Sequence, residues 1–431
     1  MKNKIKELYK HFSGSTGISI DSRKLKKGCL FFALNGENFD GNKYAAQALQ
    51  NEASLAIVDN PDVAVGTNYF VVNDVLKALQ DLAMFHREKL KTPIIGITGS
   101  NGKTTTKELL GRVLDKKFNT FFTHGNLNNH IGVPLSVLSI TEETELAIIE
   151  MGANHPGEIA YLCNIAKPDF GIITNVGKAH LEGFGGFEGV VKTKNELYEH
   201  IARNGGKVFV NGNDKLLMEL SAGISRVIYG DNENSTVQGG VVENDPFLSL
   251  QLKFNPGEKL IHTRLIGGYN LPNILAAACV GRYFNIDDDS ICRALEEFTP
   301  ENNRSQYLKT KNNILILDAY NANPVSMALA INNFAEMQAK KKMMILGDML
   351  ELGDESLDEH RKILELIRNL NFKKVLLVGE DFRQADNENE HFHFNNVDGA
   401  RTFFSNEKLK GHTILIKGSR GIQLEKLVEE F

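Results

Sequence analysis

Long hydrophobic runs are missing from this sequence: no uninterrupted apolar stretch approaches the roughly 20 residues a bilayer-spanning helix needs. Met1–Ser15 alternates charged and apolar residues and lacks the apolar centre of a secretory signal, so no membrane insertion is expected. Cysteine is also scarce. Cys29, Cys163, Cys279 and Cys292 are scattered without a C-x-x-C pair, which argues against a disulfide framework or a zinc site. Buried, reduced thiols in a cytoplasmic protein are the expectation. There is no excess of positive charge. The net charge is −5, and basic pairs such as Lys26–Lys27 and Lys116–Lys117 are isolated, so nucleic acid is not an expected partner. Prolines number only 10, and repeats and low-complexity tracts are absent.

What remains is a globular composition, 42% hydrophobic and 24% charged, on 431 residues. That length exceeds one ordinary core, so two or three domains are expected. Up to about residue 90 the pattern is a small α/β unit. "CLFFAL" and "LAIVD" read as strands, and "NKYAAQALQNEA" as a helix with Tyr44, Ala48 and Leu49 on one face. "KTPIIGITG" opens a second unit in which "ELAIIEMG", "DFGIITNVG" and "GKVFVNG" are further strands separated by helical patterns. This is the alternation of a mostly parallel sheet. Around "LSLQLKFNPGEKLIHTRLIGG" the period shifts towards two, which predicts an appended antiparallel hairpin. From about residue 305, "NNILILDAY", "KKMMILGDM", "KKVLLVGE" and "HTILIKGSRG" repeat the doubly wound pattern. The fold class is therefore α/β in three domains, bounded as 1–91, 92–304 and 305–431. Ligands are expected beyond the carboxyl ends of such strands, where "DAYNANP", "GDMLELGDE" and "KGSRG" fall.

"GITGSNGKTTTKE", from Gly96, is a strand, a glycine loop and a helix start in that order, the context of a phosphate-binding loop. Backbone N–H groups of Gly99–Gly102 would face phosphates, Lys103 would bridge terminal phosphate oxygens, and the Thr104 hydroxyl would ligate Mg²⁺. The glycine usual five residues before Gly102 is Ile97, so the loop is the variant G-x-x-G-K-T. Glu150 ends a strand pattern, where it reads either as a cap or surface acid or as a metal contact. His180, in a glycine-rich loop, reads either as surface or as part of a site. Lys194 falls inside the apolar stripe Phe187, Val190, Val191, Leu197 or Tyr198, and Ile201. Either it snorkels to water, or it is a desolvated, modified or catalytic amine.

These residues, with "IDSRKLKKGCLFFALNGENFDG", "NLNNHIGVP", "EMGANHPGEIA", "VGKAHLEGFG", "DAYNANPVSM", "LGDMLELG" and "IKGSRG", resemble the Mur ligase family of peptidoglycan synthesis over nearly the full chain. "TKE", "YNANP" and "GDMLELG" favour the branch of that family that adds a dipeptide. The resemblance implies a uridine-binding N-terminal domain, a central ATPase domain and a C-terminal Rossmann-like domain that brings the incoming dipeptide. It implies an ATP-dependent ligase with a UDP-N-acetylmuramoyl-tripeptide and D-alanyl-D-alanine as substrates and an acyl-phosphate intermediate. A monomer is the expected state.

Residue by residue, the resemblance implies ATP contacts at Thr98, Gly99, Ser100, Asn101, Gly102, Lys103, Thr104, Thr105, Asn270, Asn273, Arg304 and Asp318. It implies Mg²⁺, as two ions, at Thr104, Glu150, His180 and Lys194, the last carbamylated by CO₂. Lys103, Lys194, Asn129 and His180 would carry the chemistry. Ser22 and Arg23 match the uridine side, Asn128 the muramoyl-peptide loop, and Asn321, Lys417 and Ser419 the substrate face of the third domain. Two positions depart from the family pattern: Tyr269 stands where many members have His, and Asn303–Arg304 replaces Gly-Arg. Folylpolyglutamate synthase, a P-loop motor or switch, and a UDP-sugar-binding regulator are rival readings. The N-terminal "DSR…NGE…DG" block, the third α/β unit and the intact Lys103, Thr104, Glu150, His180 and Lys194 set oppose them in turn.

Overall fold

The protein, described by a computed structural model over residues 2–178, 181–386 and 390–431, is built on three successive large sheets, with a two-stranded ribbon, Asn35–Gly36 and Phe39–Asp40, besides. The first has four parallel strands in the order Ile18–Ser19, Leu30–Phe32, Leu55–Val58 and Tyr69–Val71. The second has nine, and six of them form its parallel half: Arg226–Tyr229, Lys207–Asn211, Phe170–Ile173, Ile94–Thr98, Leu146–Glu150 and Thr120–Phe122. Val237–Asn244, Leu248–Phe254 and Glu258–His262 extend it as an antiparallel meander, the hairpin that the change of period announces. The third sheet runs Gln306–Lys309, Ile314–Asp318, Thr413–Lys417, Lys342–Gly347, Val375–Val378 and Phe392–Phe394, parallel except at its first edge.

The central strands Ile94–Thr98 and Leu146–Glu150 are buried along their whole length, because helices cover both faces. The Lys103–Leu114 helix contributes Leu109, Leu110, Val113 and Leu114 to one core, while Phe187–Arg203 contributes Val190, Leu197, Tyr198 and Ile201 to the other. Among the described residues, no helix is long and apolar enough to cross a membrane. The four cysteines are buried and free, as expected.

One helix differs from its sequence pattern. "NKYAAQALQNEA" divides into a 3-10 turn, Gly41–Tyr44, and a short helix, Ala45–Gln50. The Asp40 side chain accepts the Asn42 N–H and starts the turn early, which leaves Tyr44 38% exposed and stacked on Phe39 while Ala45 and Ala48 are buried. Strands such as Ile18–Ser19, Thr120–Phe122, Gln306–Lys309 and Phe392–Phe394 are too short to announce themselves in the sequence.

Hydrogen bonds tie the three units together. Arg87, ending the helix Val75–Arg87, donates to Ala166 O, Lys167 O and Asp169 Oδ2 of the central unit. Asn323 Nδ2 reaches Asn101 Oδ1 at 2.8 Å, and Asn244 Nδ2 reaches Asn333 Oδ1 at 2.8 Å, across the second junction. The connecting chain there is left-handed at Asn302, Asn303 and Ser305, with φ of 62°, 59° and 46°. That accounts for Asn303 in the place of glycine, since asparagine is among the few non-glycine residues that visit this region readily. Asn303→Gly should therefore leave the thermal midpoint nearly unchanged. Asn303→Val should lower it by the equivalent of about 1–3 kcal/mol of backbone strain, measured by circular dichroism melting.

Candidate active site

The cleft between the central and C-terminal sheets encloses about 950 Å³ and gathers loops from the carboxyl ends of strands in both. After Ile94–Thr98 the chain turns through Gly99, at φ 143°, and Gly102, at φ 78°. A Cβ at Gly99 would lie 2.0 Å from Thr174 Oγ1, and one at Gly102 would lie 2.7 Å from Asn273 Oδ1. Both glycines thus serve conformation and close approach together. The loop following Phe170–Ile173 clasps this turn: Asn175 exchanges bonds with Asn101, and Ser100 Oγ donates to Gly177 O while accepting its N–H.

Lys103 opens the helix, and its ammonium donates to Gly99 O at 2.6 Å and Ser100 O at 3.2 Å. Burial pushes its pKa down to about 8, partly offset by Glu150. Thr104 Oγ1 donates to Glu150 Oε1 at 3.2 Å, and Asn128 Nδ2 donates to the same oxygen at 2.8 Å. Glu150 Oε2 is buried and accepts no hydrogen bond. A buried carboxylate beside a helix-start threonine suits a hard cation with oxygen ligands. Arg304 supplies the complementary charge: its guanidinium lies 3.7 Å from the Tyr320 ring centroid, and its buried Nε has no hydrogen-bond partner. A buried carboxylate held by Thr104 and Asn128 and an orphan guanidinium donor in one cleft fit a metal–polyphosphate.

Lys194 is 3% exposed and has no hydrogen-bond or ion-pair partner among the described residues; its ammonium lies 5.2 Å from the Phe184 ring centroid. Burial first, and then the Lys103 charge, push its pKa down to about 7. The snorkelling alternative is thus set aside, and Phe187, placed in the same stripe by the pattern, is 43% exposed instead.

Of the residues singled out in the sequence, the cleft wall collects Gly99–Thr105, Asn128, Asn129, Glu150 and Lys194 from the centre. It also collects Asn270 and Asn273 from the helix start beyond the meander, and Arg304, Asp318, Asn321, Lys417 and Ser419 from the junction and third sheet. Thr98 is fully buried beneath the loop and does not reach the cleft. Ser22, also buried, and Arg23, paired with Asp21, lie on the first unit away from this wall. His180 lies outside the described residues. Several of the collected side chains are occupied within the protein. Asn129 Oδ1 accepts the Ile131 and Gly132 N–H groups, Lys417 pairs with Asp318, and Ser419 Oγ accepts from Leu350 N and donates to Ala322 O.

Three participants escape the sequence pattern: Asn175, which no motif marks, Asn323, whose bond to Asn101 crosses two domains, and Lys107, buried one turn beyond Thr104. "TKE" contains Lys107, but its spacing alone shows no partner.

The chain matches the Mur ligase middle domain over residues 97–281, the Mur ligase glutamate ligase domain over 303–420 and the Mur ligase family catalytic domain over 15–87. It is 33% identical over 426 residues to the UDP-N-acetylmuramoyl-tripeptide–D-alanyl-D-alanine ligase of Bacillus subtilis, spanning 96% of this chain and 92% of that one. The chain belongs to the Mur ligase family. Its fold also superposes on solved structures of that family. A MurF crystal structure from Acinetobacter baumannii has a TM-score of 0.87 at 31% identity, covering 99% of this chain and 98% of the other. The MurF ligase of Thermotoga maritima in complex with ADP has a TM-score of 0.83 at 27% identity, covering 97% of each chain.

The Tyr269 departure has a local reason in this Mur ligase. Its hydroxyl meets Ser305 Oγ at 2.9 Å, so the residue in the usual His position braces the left-handed junction. Tyr269→Phe should cost about 0.5–1.5 kcal/mol, the net worth of one hydrogen bond, read as a lowered denaturant midpoint.

Proposed function

We propose that this Mur ligase joins D-alanyl-D-alanine to UDP-N-acetylmuramoyl-tripeptide at the expense of ATP, giving the UDP-linked pentapeptide, ADP and phosphate. The observation that carries the reading is the pairing, in one cleft, of the Gly99–Thr105 phosphate loop with the buried Glu150 and Lys194. The names of relatives matching at about this length supply the substrates.

The tripeptide carboxylate attacks the ATP γ-phosphorus and ADP leaves. The dipeptide amine then adds to the resulting acyl-phosphate carbonyl, and phosphate departs from the tetrahedral adduct as the amine loses its proton. Two anions must meet in the first step, so positive charge has to stand between them. Lys103 and Arg304 provide it from the protein. Thr104, Glu150 and Lys194 as its carbamate, with His180, would hold Mg²⁺, which when bound neutralises phosphate and carboxylate oxygens. Asn270, Asn273 and Asp318 are the proposed nucleoside contacts, Ser22 and Arg23 the uridine contacts, and Asn128, Asn129, Asn321, Lys417 and Ser419 the contacts lining the peptide path. Water must be kept from the acyl phosphate, and the bond from Asn323 to Asn101 is the kind of contact that closes two domains over it. The units are taken as 1–91, 92–304 and 305–431, working as a cytoplasmic monomer.

Carbamylation of Lys194 follows from its protonation state. Only the free amine attacks CO₂, and a pKa of about 7 leaves much of it free at neutral pH. As pH falls through that value the amine protonates, so the carbamate signal from ¹³C-bicarbonate should fade on acidification and return on reversal. Lys194→Ala should abolish the signal and reduce turnover on the order of 100-fold or more, as for loss of an electrostatic catalytic group; full activity in this variant without added bicarbonate or carboxylate removes the assignment.

Phosphate release tests the function as a whole. Mg-ATP, UDP-N-acetylmuramoyl-tripeptide and D-alanyl-D-alanine are each omitted in turn, with the product identified by mass. Release should require all of them. Release with ATP alone, indifferent to both other substrates, would return the site to a motor or switch.

A further inference from the structure

The expected metal carboxylate has a second charge behind it. Lys107 and Glu150 are each 1% exposed, and Lys107 Nζ stands 3.6 Å from Glu150 Oε2, the oxygen that accepts no hydrogen bond. Lys107 lies three residues after Thr104 on the Lys103–Leu114 helix, so both side chains face the end of the Leu146–Glu150 strand. Thr104 takes Glu150 Oε1 from the cleft side, while Lys107 is not part of the cleft wall. The ammonium also donates to Gly125 O at 3.2 Å, at the root of the loop whose Asn128 holds Glu150 Oε1.

A buried carboxylate with no counter-charge would be a strong site for any divalent cation, with or without nucleotide. A fixed cation at this distance removes most of that attraction, and in a poorly screened interior the effect is large. What remains attractive to a metal is the combination of Glu150 with the phosphates of a bound nucleotide. Through Gly125 the same ammonium anchors the loop that aims Asn128.

We propose that Lys107 is a positioning residue: a built-in counter-charge that orients Glu150 and makes metal binding at this carboxylate depend on nucleotide. The inference rests on the reading of Glu150 as a metal ligand.

Mn²⁺ binding by electron paramagnetic resonance tests it on purified full-length protein, with and without ADP. Wild type should bind Mn²⁺ tightly only with ADP. Lys107→Met should bind Mn²⁺ without ADP at least about tenfold more tightly than wild type, since a repelling charge has gone. Unchanged nucleotide-free affinity in Lys107→Met overturns the proposal. Glu150→Gln separates the two readings: if it binds Mn²⁺ with ADP as wild type does, the metal assignment itself fails. If it loses Mn²⁺ while Lys107→Met behaves as wild type, only the role of Lys107 fails. Should Lys107→Met not fold, thermal melting of Glu150→Gln and the double variant Lys107→Met/Glu150→Gln decides. The double variant should melt higher, because it no longer buries an unpaired ammonium. A double variant no more stable than Glu150→Gln overturns the proposal.

Discussion

The structure around the cleft is organised on one buried carboxyl group, that of Glu150, 1% exposed at the end of its strand. An uncompensated carboxylate there would cost several kcal/mol. Thr104, Asn128 and Lys107 come from two different segments to meet that cost, and their convergence locks the phosphate-loop helix and the Gly125–Asn129 loop against the central strand. Bonds within the protein thus fix the geometry of the cleft, which is what electrostatic catalysis asks of a site.

Charge of the other sign is handled differently. Lys103, Lys194 and Arg304 share the same cleft, and Lys103 depresses the pKa of Lys194. Burial lowers the pKa of both lysines, to about 8 at Lys103 and about 7 at Lys194, so two desolvated amines hold their protons less tightly than free lysine. Lys103 rests on the carbonyls of its own loop, whereas the Arg304 guanidinium is held flat on Tyr320.

Arg304 also stands at the junction where the chain passes to the third sheet, among three left-handed non-glycine residues. Tyr269 braces Ser305 from the central unit, Asp318 accepts the Ser305 N–H, and Asn303 O accepts the Tyr320 N–H. The strained path is held by bonds to both units. The position of Arg304, and with it the cleft, follows from that path.

Strong local patterns made much of this legible in the sequence. Continuous apolar strands ending in glycine loops identified the two larger sheets, the change of period identified the meander, and "GSNGKT" identified the glycine turn between a strand and a helix. An amine inside an apolar stripe marked Lys194 as unusual. Each of these signals lies within about one helix or one strand, where chemistry and spacing are read together. Partners far apart in the chain were not legible: Lys107 with Gly125 and Glu150, Asn101 with Asn323, Tyr269 with Ser305. Nor was the early turn at Gly41–Tyr44, which a side-chain cap decides against the helical pattern. The sequence by itself determined the element order, the family and most cleft residues, because periodicity and motif are local properties. Only the tertiary structure decided which charges face one another, because that depends on how separate strands end at the same edge of a sheet.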